Sequence, residues 1–412
     1  MRYKRVTIVT GAIVLGLTAV VLNVDQLYFM SALLLVLPLV GYLIGRSSLQ
    51  GLECSRQVTD RVFEDGLVRV ELEVRNRSRL PKAFVDVEDV LPHWLQPEAP
   101  PHFYLPVLWG GESARFAYSA RALKRGCFPI GPVQLQATDP LGVTEYRRRV
   151  GEAQEAVVYP TALVAVRGEA MDVHPEVAGL APRAARIGEG VDFSRIRDYL
   201  PGDELRRIHW KATARHDRLQ VIDFEHTPAT SLTLVVDVAR RTDVGLGRES
   251  TLEYSVKLAA SLAHHTLDNG ARVTLALRGR RANGIVTAVR SDHYYDLLEL
   301  LARAEADGET PAATAVVELA RTGTLSEAVV VLTAALDPAL VEAAREVVLR
   351  QARAIIILMD AHSFVGDGPP SPDDPYNRLA TALRGVGAEV HRVRRGDDLT
   401  RLVGRIIHGA ER

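Results

Sequence analysis

The residues best suited to chemistry in this 412-residue sequence fall in one stretch, Gly188 to Glu225. Between Asp192 and Asp223, six acids (Asp192, Asp198, Asp203, Glu204, Asp217, Asp223) mix with seven bases (Arg195, Arg197, Arg206, Arg207, Lys211, Arg215, Arg218). Charge interleaved in this way does not repel itself into disorder. Tyr199, Leu205, Ile208 and Trp210 are spaced among the charges, which predicts a packed element carrying a polar network.

Three uses of this stretch compete. One is an ion-pair network that fixes a helix–strand corner. The second is a docking surface for a partner, built from Asp203, Arg206, Arg207, Trp210, Lys211 and Arg215. The third is a hydrolase-type site within residues 192–215, with Asp203, His209 and Lys211 as the reacting groups. Spacing works against the third: on a helix His209 lies only loosely beside Asp203, and Lys211 lies on another side. An enzyme requires the three to converge on an open cleft. An Asp203 that caps the helix, with Trp210 buried, favours a scaffold.

Other chemistry leaves no string in the chain. There is no GxxxxGK[ST] or GxGxxG phosphate loop and no GxSxG nucleophile elbow. Cys54 and Cys127 belong to no CxxC and to no Cys/His spacing suited to zinc, and read as unpaired, reduced residues. His264 and His265 lack spaced acidic companions. A formal net charge of −1 gives no overall pull toward nucleic acid. The expectation is no catalytic residue, no cofactor, no metal and no nucleic-acid partner.

The elements that position this stretch can be read in order. Leu200-Pro201-Gly202-Asp203 is a turn, with Asp203 placed as an N-cap. Leu205, Ile208 and Ala212 predict a short helix, and Leu219 to Glu225 a strand. Upstream, Val6 to Val24 and Gln26 to Gly45 carry no charge, and each is near the ~20 residues that cross a bilayer. Residues 1–49 are predicted to form a two-helix transmembrane hairpin, kinked at Pro38. Arg2, Lys4, Arg5 and Arg46 flank it, while the turn Asn23 to Gln26 has no Lys or Arg. The positive-inside rule then gives a two-span protein of the inner cell membrane with both termini cytoplasmic.

Residues 50–160 alternate apolar and polar positions at Val68–Arg75, Ala83–Val90, Ala114–Arg121 and Val133–Ala137, which predicts a β-sandwich. After the 161–225 segment, residues 226–412 alternate apolar strand runs with helices. This predicts a mainly parallel α/β sheet covered on both faces. The first strand, Ser231–Val238, ends near Asp237, where ligands of such sheets sit. Asp360 ends another strand with no evident partner.

The string Asp192-Phe193, Arg195 to Tyr199, Pro201-Gly202-Asp203, Arg207 to Lys211 and Ala214-Arg215 resembles the signature of the domain of unknown function 58 family. Members often carry a von Willebrand factor A-like, Rossmann-like domain, whose metal site uses Asp-x-Ser-x-Ser after the first strand. Here those positions read Asp237, Ala239 and Arg241. The resemblance thus implies the fold with its metal site degenerate, and disfavours a metal-dependent adhesion module. It further implies a membrane-anchored scaffold or adaptor. Its partners would be a MoxR-type AAA+ ATPase and other membrane proteins, in assembly or maturation of client proteins at the lipid bilayer.

Overall fold

The computed structural model describes residues 2–59, 61–138, 145–166, 169–172, 193–198, 210–216, 218–224, 231–366 and 374–408. These divide into two compact units, Met1–Pro160 and Thr161–Arg412.

The first unit begins with helices α1 (Arg2–Leu22) and α2 (Asp25–Ser48). The tight turn between them works because Asn23 takes φ = 50°, which Asn tolerates better than most residues. Small residues line their contact. Ala12 and Ala19 are fully buried, Ser31 Oγ donates to Ala12 O at 2.8 Å, and a Cβ on Gly16 would meet Ser31 Oγ at 2.9 Å. The remaining faces are apolar and exposed, as at Val21 and Phe29 (81% and 77%). Among the described residues the window Asp25–Leu43 is long and apolar enough to cross a membrane, and Val6–Leu22 is apolar but shorter. The second helix runs through Pro38 without a break.

Next come β1 (Leu52–Val58), β2 (Val62–Phe63), β3 (Leu67–Asn76), β4 (Lys82–Asp89), β5 (Leu95–Pro97) and β6 (His102–Leu108). They are followed by β7 (Ser113–Ala122), β8 (Gly126–Ile130), β9 (Val133–Thr138), β10 (Glu145–Val150) and β11 (Gln154–Tyr159). Two four-stranded sheets, β1-β3-β7-β5 and β10-β9-β4-β6, are joined by a three-stranded sheet β2-β11-β8. The alternation along β3 becomes strict in–out burial, the mark of a sheet wet on one face. Leu72 and Val74 of one sheet share a core with Val85, Val87 and Leu135 of the other, as the sandwich reading predicts.

The second unit opens with β12 (Leu163–Val166), β13 (Glu169–Asp172), β14 (Phe193–Asp198), α3 (Trp210–His216) and β15 (Gln220–Phe224). Strands β14 and β15 pair antiparallel, with Arg195 opposite Asp223 and Ile196 opposite Ile222. After β16 (Leu232–Val236), a short ribbon of β17 (Gly245–Leu246) and β18 (Glu249–Ser250) leads to α4 (Thr251–Asp268), β19 (Val273–Arg278) and β20 (Asn283–Ala288). The chain continues with α5 (Tyr294–Ala302), α6 (Ala312–Thr322), β21 (Ala328–Thr333), α7 (Ala339–Leu349) and β22 (Arg353–Met359). It closes with α8 (Pro375–Gly385), β23 (Glu389–Val393) and α9 (Leu399–His408).

The sheet runs β20-β19-β16-β21-β22-β23. All neighbours are parallel except edge strand β20, antiparallel to β19. Strands β16 and β21 are buried at every position, which is why, apart from Thr233 and Thr333, they read as apolar runs rather than alternations. Helix α4 starts on an N-cap: Ser250 Oγ accepts from Glu253 N, which satisfies one of the free N–H groups of the first turn. Helix α6 has no counterpart in the sequence reading. Its buried face is made mostly of alanines, Ala312, Ala313, Ala315 and Ala320, with Val316 and Leu319.

Candidate functional site

Two buried acids of the second unit, Asp237 and Asp360, directly follow parallel strands at their carboxyl ends. Asp237 follows β16 directly and is 6% exposed. Its Oδ2 accepts from Thr333 Oγ1 at 2.5 Å, across from the end of β21. Its Oδ1 accepts from Ala239 N at 3.0 Å. Thr333 Oγ1 in turn accepts from Ala335 N at 2.9 Å. Burial pushes the Asp237 carboxyl up; the Thr333 and Ala239 hydrogen bonds oppose this, and Asp337 adds to it. The loop beyond is tied by its main chain to a neighbour: Gly308 N donates to Val238 O and Arg240 N to Gly308 O.

These residues do not fit a divalent cation. A magnesium-type site needs several hard oxygens. Both Asp237 oxygens already hold hydrogen bonds within the fold, Ala239 offers no side-chain ligand, and Arg241 brings an exposed cation. Among the described residues no three His, Cys, Asp or Glu side chains gather to hold a metal.

A cleft of about 220 Å³ opens nearby, lined by Arg278, Gly279, Arg280, Asn283, Gly308, Glu309 and Thr310. Its cations are already matched. Arg278 reaches Glu318 at 3.1 Å, Arg280 pairs with Glu309, and Asp307 accepts from the main-chain N–H of Arg280 and Arg281. This is an ion-paired rim.

Asp360, at the end of β22, is not the isolated carboxylate the sequence suggests. It is 2% exposed and accepts from Arg392 Nη2 at 2.7 Å. Arg392 also bridges to Asp374 at 2.5 Å and lies 5.0 Å from the Tyr376 ring. Asp374 Oδ1 caps α8 by accepting from Tyr376 N at 3.0 Å. Burial pushes the Asp374 carboxyl up, but the Tyr376 N–H and the Arg392 guanidinium outweigh it and hold it below the usual range. The group buttons β22, β23 and α8 together. Its signal in the sequence is the basic run Arg392–Arg395, which only the fold brings to Asp360.

The signature segment is described in part. Asp203, Arg206, Arg207 and His209 lie outside the described residues, as does the expected turn at Leu200–Asp203. Trp210 lies in α3 and is 68% exposed; Arg215 is exposed as well. This exposure of Trp210 does not meet the burial condition of the structural-corner use and suits the docking-surface use of the same residue. The corner into β15 is closed by Gln220 N donating to Thr213 Oγ1 at 3.0 Å.

Cys54 and Cys127 are half-buried thiols. Burial pushes the Cys54 thiol up to about 12, the behaviour of a packing residue rather than a nucleophile. His264 packs edge-on against Tyr294 at 5.3 Å.

Part of the second unit matches a known family model. Residues 195–363 match the family described as Protein of unknown function DUF58, a span running from β14 through the 3₁₀ turn after β22. The chain is also 25% identical over 285 residues to "Uncharacterized protein YeaD" of Bacillus subtilis (strain 168), covering 67% of this chain and 68% of that one. Among solved structures, the CARDB domain of a Pyrococcus furiosus protein aligns with 26% of this chain and 94% of its own, at a TM-score of 0.20 and 14% identity. A cohesin module from a Clostridium perfringens family 33 glycoside hydrolase aligns with 26% of this chain and 97% of its own, at a TM-score of 0.18 and 7% identity.

Proposed function

We propose that this chain is a membrane-anchored scaffold or adaptor, held by α1 and α2 and working from the signature segment and the α/β sheet. The observation that carries the reading is Trp210: a large indole left 68% exposed in the most charged stretch of the chain. Exposed Trp beside Arg is the composition of binding hot spots. The engaged state of Asp237, Asp360 and Asp374 supports a sheet end used to hold the fold together.

The second unit is read as a von Willebrand factor A-like domain without its cation. Two features support this: a strand order of the doubly wound kind and an antiparallel third strand at the edge. The helix pair is read as a hairpin in the inner membrane with both termini cytoplasmic, on the basic flanks of an uncharged run. The partner inferred from the family resemblance is a MoxR-type AAA+ ATPase, acting with this chain on the assembly of other membrane proteins.

Co-purification of that ATPase with the full chain tests the reading. Trp210→Ala and Arg207→Ala together are expected to reduce recovery at least ten-fold while the chain stays folded. Equal recovery removes this surface from the proposal.

A further inference from the structure

The end of the sandwich nearest the helix pair carries an apolar surface that the protein itself leaves uncovered. Leu80, Phe84, Val107 and Trp109 are 62%, 50%, 44% and 61% exposed. They come from the turn before β4, from β4, and from the end of edge strand β6. The register Lys82↔Leu108 and Ala83↔Val107 brings them together. Phe84 holds φ = 56°, a left-handed conformation that costs a bulky residue strain. Across it the in–out alternation of β4 slips, so that Lys82 and Val85 are both buried and Phe84 is exposed.

The platform is stiff. Asn76, fully buried, donates from Nδ2 to Leu80 O at 2.9 Å and to Leu108 O at 3.0 Å. Its Oδ1 accepts from Ser78 N and Ser78 Oγ. One amide therefore clamps both turns.

Its position relative to α2 names the occupant. Lys82 Nζ donates to Ser47 O at 2.5 Å, and Arg77 N donates to Gly51 O at 2.8 Å. Tyr146 of β10 reaches further along the helix. Its hydroxyl donates to Tyr42 O at 3.2 Å, its ring lies 5.9 Å from that of Tyr42, and it fills the space where a Cβ on Gly45 would sit. Tyr42 and Gly45 belong to the uncharged run that ends at Arg46. The sandwich thus touches α2 at apolar depth, and the turn at residues 76–80 lies on the order of 10 Å beyond that run. This is the layer where Trp and Tyr concentrate at membrane boundaries and where apolar side chains dip about 5–10 Å.

We propose that Leu80, Phe84, Val107 and Trp109 form a second, monotopic contact that lies in the interfacial layer of the same bilayer leaflet, its occupant being phospholipid headgroups and upper acyl chains. The inference rests on the reading of α1 and α2 as a bilayer anchor. Exposed Arg79, with no ion-pair partner among the described residues, adds a cation at headgroup level.

The sandwich contains its own depth control. Leu123 N donates to Trp94 O, so Trp94 sits beyond the far end of β7. The ten residues of that strand separate it from Trp109 by roughly 30 Å.

The full chain is reconstituted into phosphatidylglycerol/phosphatidylcholine vesicles whose phosphatidylcholine is brominated either near the carbonyl end or near the tip of its acyl chains. Trp94→Phe/Trp210→Phe leaves Trp109 as the reporter, and Trp109→Phe/Trp210→Phe leaves Trp94. Trp109 emission is expected to fall at least two-fold, most with bromine near the carbonyl end, while Trp94 is unaffected. If a double variant misfolds, the difference between the wild-type chain and Trp109→Phe gives the same reading. Alkaline carbonate extraction of the vesicles separates the two ideas. A chain that resists extraction but whose Trp109 is quenched no more than Trp94 overturns the interfacial contact alone. A chain that washes off overturns the anchor and the contact together.

Discussion

Thr333→Val removes one hydroxyl and little shape, yet it strips two partners at once. Asp237 Oδ2 loses its donor at 2.5 Å and Ala335 N loses its acceptor at 2.9 Å. A buried group left unsatisfied costs about 1–3 kcal/mol, more when it is charged; with two groups stranded, one of them a carboxylate, about 3 kcal/mol is expected. That corresponds to roughly 150-fold in a local opening equilibrium. Hydrogen exchange of the full chain reads it directly. Amides of β16 and β21 are expected to exchange about 100-fold faster, while those of β3 and β7 in the first unit do not change. Asp237→Asn makes the complementary change, because an amide satisfies Thr333 without a buried charge. Burial raises the folded Asp237 carboxyl above its ordinary value of 3.8. Its contribution to stability is therefore complete below that value and is lost as pH rises through the folded one. Protection of β16 in the wild type is expected to decline over that rise, and in Asp237→Asn to stay flat. A Thr333→Val chain within three-fold of wild type at both strands, or a tight Mg²⁺ site that vanishes in Asp237→Asn, would refute the reasoning.

Arg392→Met leaves Asp360 and Asp374 buried without their shared cation, and is expected to cost about 3–5 kcal/mol, read as lost protection in β23 and α8. Acid acts on Asp374 and Glu389 in the opposite sense from Asp237. Arg353 and His391 outweigh burial and hold the Glu389 carboxyl low. Both contributions are thus full above the ordinary values of 3.8 and 4.5 and are lost as pH falls through the folded ones; Glu389→Gln should blunt that acid loss in a pH series of unfolding midpoints. Asn76→Ala breaks a buried amide with four hydrogen bonds and is expected to cost about 3 kcal/mol, seen as faster exchange at residues 77–80 and 108–111. Gly16→Leu drives a side chain into Ser31, whose Oγ lies 2.9 Å from a Cβ there; disulfide trapping between cysteines at positions 12 and 31 should fall several-fold.

Much of the sheet was legible because burial is written in composition. Runs such as Ala328–Leu332 and Ala354–Met359 are apolar throughout, and only a strand covered on both faces tolerates that. Edge elements were harder to read. Strand β10, Glu-Tyr-Arg-Arg-Arg-Val, lies at a sheet edge where one side has no neighbour, so its residues are polar and resemble a loop. Strand β6 contains Pro106, tolerated at an edge for the same reason. Helix α6 hides behind alanines. The links among acids were the least legible. Asp237 and Thr333 are 96 residues apart, and Asp360 and Arg392 are 32 apart. No local period encodes either pair; only strand order does.

Only Leu49, Gln50 and Gly51 separate α2 from β1. That junction is gripped on several sides: Arg148 Nη1 donates to Leu49 O at 2.8 Å, Lys82 holds Ser47 O, and Leu49 itself is part of the sandwich core. No slack remains for a swivel. A twist or tilt imposed on α2 is delivered to the strands undiminished, and a load pulling on the strands is felt by the helix in full. The helix and the sandwich form a lever with its fulcrum at residues 47–51, and a fluorophore fixed to β3 would tumble at the rate of the helix pair.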